Sequence, residues 1–144
     1  MKRLNTFLLI FSALIGFALA QSPEKINFQT IVRDNMGVPM TSQNLDLRLS
    51  IANGPVLPAK VYYEEVFSGL TTDNFGLISV HIGTGTPDLI NYGPFSDVLF
   101  GEGTLYLHIE VNTGNGYVAI GVSELVSVPH ALHSNLADSV KKVT

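Results

Sequence analysis

The run Leu45-Asp46-Leu47-Arg48-Leu49-Ser50-Ile51 alternates apolar and polar residues without a break. Leu105-Tyr106-Leu107-His108-Ile109-Glu110-Val111 repeats the pattern sixty residues later. Successive side chains on a strand point to opposite faces, so each run is a strand with one face in a core and one turned away from it. Working outward, Ile26 to Arg33 is a third strand, rich in β-branched and aromatic residues. Val61–Phe67, Leu77–Ile82 and Tyr117–Val126 are three more, and Leu70–Thr72 reads as a short edge piece.

Turn chemistry separates these runs. Asp34-Asn35-Met36-Gly37, Asn53-Gly54-Pro55 and Asn112-Thr113-Gly114-Asn115-Gly116 supply the residues that tolerate positive φ in tight connections. Gly83 to Gly103 is a longer connection containing Pro87 and Pro94, with one helical turn expected near Pro94–Val98. Six or seven short strands punctuated in this way predict an all-β fold, an antiparallel β-sandwich. Beyond it the period changes: Val128, Leu132, Leu136 and Val140 recur every four residues. With Ser127 as N-cap and Pro129 in the first turn, a short C-terminal helix is expected over 129–144. That helix would pack on the sandwich or begin a stalk.

The amino terminus carries a different message. Lys2 and Arg3, an apolar run from Phe7 to Phe17, and Ala18-Leu19-Ala20 before Gln21 have the order of a secretory signal peptide. The apolar run falls short of the roughly 20 residues that span a bilayer. Residues 1–20 are therefore expected to be cleaved, leaving a domain over 21–128 and the helix, with no integral membrane segment after cleavage. Without Lys2 and Arg3 the mature chain keeps six basic against twelve acidic residues, a net charge of −6. No basic cluster precedes Lys141-Lys142, which argues against nucleic acid as a partner. The chain has no cysteine. That excludes disulfides, thiolate chemistry and lipid attachment through a cysteine at the cleavage point.

Two terminal segments carry a family resemblance. Ile26-Asn27-Phe28-Gln29-Thr30-Ile31-Val32-Arg33-Asp34, with Gly37 and Pro39, resembles an opening INYQAVVRD-x-x-G-x-P. Leu125-Val126-Ser127-Val128-Pro129-His130-Ala131-Leu132 resembles a closing LLSVPYALYA. Between them, Val61-Tyr62-Tyr63-Glu64, Thr71 to Leu77 and Ile82-Gly83-Thr84-Gly85 look like the VYSE, T-x-x-x-G-L and IGxG elements of the same family. These elements resemble those of an N-terminal module found in exported proteins of Bacteroidetes-type bacteria. The resemblance implies a prealbumin-like or immunoglobulin-like sandwich, set ahead of a tail-fibre-like region or a self-cleaving chaperone domain, and it brings no catalytic residues. Here the chain stops at Thr144, and His130 and His133 stand where aromatic residues are usual. A truncated, stand-alone or split-off version is the corresponding expectation.

The side chains that could carry chemistry do not assemble into a site in the sequence. His81 and His108 fall on strand faces opposite the leucines, while His130 and His133 share a helix face without a third metal ligand. No G-x-S-x-G occurs. Glu64 and Glu65 are strand neighbours and point apart, so they cannot flank one glycosidic bond; Glu64 is expected to face solvent and Glu65 to lie near an edge. Gly83-Thr84-Gly85-Thr86 has the look of a phosphate cradle, but no lysine follows. Asp34-Asn35-x-Gly37 and Asp73-Asn74-x-Gly76 suggest calcium loops, although ordinary turns explain them and each offers too few oxygens. Tyr62, Tyr63, Tyr92, Tyr106 and Tyr117 would form a sugar-stacking face or act as packing pairs. The sequence therefore predicts no catalytic, cofactor or metal residue. It predicts an exported, non-enzymatic module for assembly with a protein partner or a second copy, with carbohydrate binding as the alternative.

Overall fold

The computed structural model describes residues 25–100 and 102–126. The strands are β1 (Ile26–Ile31), β2 (Asn44–Ala52), β3 (Val61–Thr71), β4 (Leu77–Ile82), β5 (Thr86–Pro87), β6 (Leu105–Asn112) and β7 (Tyr117–Leu125). They form two antiparallel sheets, a β1-β4 pair and a five-stranded sheet in the order β5-β3-β2-β6-β7. The fold is an antiparallel β-sandwich.

The two alternating runs become its centre. β2 and β6 are hydrogen-bonded neighbours with Leu49 opposite Ile109 and Leu47 opposite Val111. Leu47, Leu49 and Ile51 are fully buried, and Ile78, Val80 and Ile82 of β4 close over them. Truncating one such leucine to alanine costs about 2–5 kcal/mol.

Two expectations change. Leu70 is not in a separate edge piece: β3 runs unbroken to Thr71, with a register shift opposite Leu45–Leu47. β1 stops at Ile31, and Arg33 instead forms an isolated bridge with Pro39. The helical turn in the long connection is a 3-10 turn, Phe95–Asp97. The signal peptide and the C-terminal helix both lie outside the described residues. Among the described residues no helix is long and apolar enough to cross a membrane.

The two flanks of the sandwich differ. On the β3/β4 side, β5 and the chain after it cover the β3 edge: Asp88 N–H donates to the Glu64 carbonyl and Gly93 N–H to the Tyr62 carbonyl. On the opposite side, β1 and β7 each have one strand partner among the described residues, and their outer edges line a common groove.

Candidate functional site

A groove of about 630 Å³ runs between those edges. Thr30, Ile31 and Arg33 line it from β1 and the residues after it, and Val118 to Val122 line it from β7. Its floor is Ile109 and Gly121. The β7 wall is apolar and open to solvent, with Val118 62% exposed and Val122 47% exposed, whereas Thr30, Arg33, Asp34 and Asn35 make much of the opposite wall polar.

The shape of this groove follows from β7. Leu105, Leu107 and Ile109 face Leu125, Ser123 and Gly121, but Glu110 then faces Ala119, so Ile120 is an extra residue. A bulge of this kind reverses the alternation. It brings Val118 to the core side, opposite Val111, although the two-stranded sheet does not extend far enough to cover it. Small Gly121 leaves the floor open; a Cβ there would meet only Ile109 Cδ1, at 3.7 Å.

Edge strands in natural proteins are usually guarded by lysine, proline, charge or short length. β1 (INFQTI) has no charge and no proline, and β7 (YVAIGVSEL) has one glutamate near its end besides its bulge. Both edges can accept another strand's N–H and C=O groups.

The opposite flank explains the Gly83-Thr84-Gly85 loop. It does cradle an anion, and the anion is Glu65. Gly83 N–H donates to Glu65 Oε1 at 2.9 Å and Gly85 N–H to Oε2 at 2.7 Å. Glu65 is 0% exposed and sits on the core face between Tyr63 and Phe67; it lies beside the short edge strand β5, opposite Pro87, but is buried there. Burial, with the Glu65 carboxylate as neighbour, pushes the Tyr63 hydroxyl well above the usual phenol range.

The remaining candidate groups have structural partners. Glu64, Ser50 and His108 lie on one rung of the large sheet, on the face away from the core. Ser50 Oγ donates to Glu64 Oε2 at 2.9 Å, so the hydroxyl is not aimed at a histidine. His108 Nε2 lies 2.8 Å from the Gly54 carbonyl, which can only accept, so this nitrogen carries the proton. Ser50 is 3% exposed and His108 7%, so neither is open to a substrate; His108 does lie on the strand face opposite the leucines, as the alternation predicts. His81 is exposed.

Asp34 Oδ1 accepts from the Met36 and Val38 N–H groups at 2.9 Å, and Asp73 Oδ1 from Phe75 and Leu77 at 2.7 and 2.9 Å. These are Asx turns, which engage one carboxylate oxygen of each aspartate. No group of three or more metal-ligating side chains occurs among the described residues. The tyrosines do not share a face. Tyr63 is in the core, edge-on to Phe95 at 5.2 Å, while Tyr117 lies under the Arg48 guanidinium at 4.1 Å and Tyr62 under Lys60 at 4.9 Å. Arg48 is further held by Glu110 at 2.8 Å.

No curated protein and no solved structure matches this chain. One family model does match, over residues 27–125, from the second residue of β1 to the last of β7 and so across both edges of the groove. The chain belongs to that family, described as a domain of unknown function (DUF8740).

Proposed function

We propose that this protein is an exported, non-enzymatic β-sandwich module of a surface or extracellular assembly, and that the β1/β7 groove is where a polypeptide partner docks. The observation that supports this most is that two strand edges with few protecting charges line one groove whose β7 wall is apolar. Strand addition at such an edge draws affinity from main-chain hydrogen bonds and specificity from pockets for alternate side chains. Ile31, Val118, Ile120 and Val122 would supply those pockets. Export rests on the signal-peptide pattern of residues 1–20 and on a chain free of cysteine, which travels without disulfide chemistry.

The reading is tested with a photo-crosslinking residue placed at Val118 in the full chain, expressed in its own cells, and compared with one at Ser79. Ser79 pairs with Gln29 on the outer face of the small sheet. An adduct heavier than the monomer is expected from position 118 only, and Gly121→Val, which fills the groove floor, should remove it. No heavier adduct, or one indifferent to Gly121→Val, overturns the proposal. N-terminal sequencing of the exported product checks cleavage before Gln21.

A further inference from the structure

We propose that Asn53 is a site of spontaneous covalent modification in the folded protein, converting to aspartate and isoaspartate through attack by the Gly54 main-chain nitrogen, while Asn115 is shielded from the same reaction. The proposal is independent of the docking groove.

The chain contains two Asn-Gly pairs, Asn53-Gly54 and Asn115-Gly116. A glycine after asparagine puts no Cβ in the way of the attacking nitrogen, so the sequence ranks the two pairs alike. Both asparagines are exposed to water. The hydrogen bonds around them differ at the two atoms that react. Asn53 Oδ1 accepts from the Lys60 main-chain N–H at 3.0 Å. An amide N–H only donates, so the atom facing Lys60 is the oxygen. Negative charge builds on that oxygen when Cγ is attacked, and a donor already in place stabilises it. The Gly54 N–H has no acceptor among the described residues. At the second pair the nitrogen is engaged. Gly116 N–H donates to Asn112 Oδ1 at 3.0 Å and must give up that bond before it loses its proton.

The reaction needs only water. Gly54 N loses its proton to solvent base and bonds to Asn53 Cγ. The Cγ–Nδ2 bond breaks, and the nitrogen takes a proton from water and leaves as ammonia. Water then opens the succinimide ring at either carbonyl. One route gives aspartate; the other gives isoaspartate, with an extra methylene in the main chain. Either product adds one negative charge.

The position gives the change a reach beyond its own loop. The Asn53 N–H donates to the Lys60 carbonyl at 3.1 Å, so Asn53 and Lys60 together close the loop over 54–59. The Gly54 carbonyl lies 2.8 Å from Nε2 of the buried His108 on β6. Lengthening the main chain between Asn53 and Gly54 pulls that carbonyl away, and modification at the surface is felt at a histidine inside the large sheet.

The test is to hold the folded chain in mildly alkaline buffer and follow both asparagines by peptide mass mapping with isoaspartyl methyltransferase labelling. A parallel sample in urea supplies the rates without structure. Relative to its urea rate, Asn53 is expected to convert about fivefold faster than Asn115, the rate equivalent of one net hydrogen bond. A folded-state ratio no larger than the ratio in urea overturns the proposal. Asn112→Ala, which releases the Gly116 nitrogen, should raise the Asn115 rate severalfold; no rise overturns the reason given for its protection. Gly54→Ala should slow conversion at position 53, and an unchanged rate excludes attack by that nitrogen. The His108 imidazole resonances should shift in step with isoaspartate at 53, and unmoved resonances overturn the link to the sheet.

Discussion

Glu65 and Gly85 join the two sheets along one flank, the half-buried Gly85 N–H donating to Oε2 of the fully buried Glu65 at 2.7 Å. Gly83 N–H takes the other carboxylate oxygen. Each charge-assisted hydrogen bond is worth about 1.5–3 kcal/mol, and a buried donor left without an acceptor costs a similar amount. Glu65→Gln puts an amide NH2 against one of these N–H groups and should lower unfolding free energy by about 2–4 kcal/mol in urea titration. Glu64→Gln, one residue away on the other face, should cost well under half of that.

Gly85 and Gly121 should respond in opposite ways to the same methyl group. At Gly85 a Cβ would lie 2.7 Å from Glu65 Oε2 and 3.0 Å from both Phe67 Cζ and the Val66 carbonyl. Gly85→Ala is expected to cost about 1–3 kcal/mol through this overpacking. Gly121→Ala meets only Ile109 Cδ1 at 3.7 Å and should be neutral or mildly stabilising, since glycine is a poor strand residue. Thermal melts of the two variants beside the parent check both signs.

Tyr63 sets an alkaline limit. Its hydroxyl is raised above the ordinary value of about 10 by burial and then by Glu65, so the folded state keeps a proton that the unfolded chain releases. The stabilisation is fully present below pH 10 or so, and declines as pH rises above it toward the raised folded value. Tyr63→Phe should flatten that decline in a stability-versus-pH series. A slope as steep as the parent's would show that Tyr63 is not its source.

Arg48 has two partners on the outer face of the large sheet, Glu110 and the Tyr117 ring. Both acidic and basic partners are partly exposed, so the ion pair itself should couple by only about 0.5–1 kcal/mol and weaken with salt. A double-mutant cycle with Arg48→Ala and Glu110→Ala measures it. Arg48→Lys should lose the stacking on Tyr117 while keeping the charge, and should fall between the parent and Arg48→Ala.

Leu45–Ile51 and Leu105–Val111 were fully legible because strict alternation encodes both the strand and its buried face. Glu65 was legible in part. The aromatic parity of Tyr63 and Phe67 marks its face as the core side, and the Gly83–Gly85 loop has the form of an anion cradle. What the sequence lacks is the long-range pairing that supplies the carboxylate to the loop. The groove was not legible at all. Alternation assigns residues to faces but not strands to neighbours, so it cannot reveal that β1 and β7 each end a sheet. The bulge at Ile120 hides more: Val118, Ile120 and Val122 look like one face of a regular strand, whereas the register places Val118 and Val122 on opposite faces.

The groove walls contribute little to holding the fold together. Val118, Ile120 and Val122 are largely outside the buried cluster, which is built by β2, β4 and β6 with Tyr63 and its neighbours. Under the docking proposal, folding and recognition fall on separate sets of residues. The groove wall could then be changed extensively while the scaffold stays unchanged, so one sandwich could serve different partners.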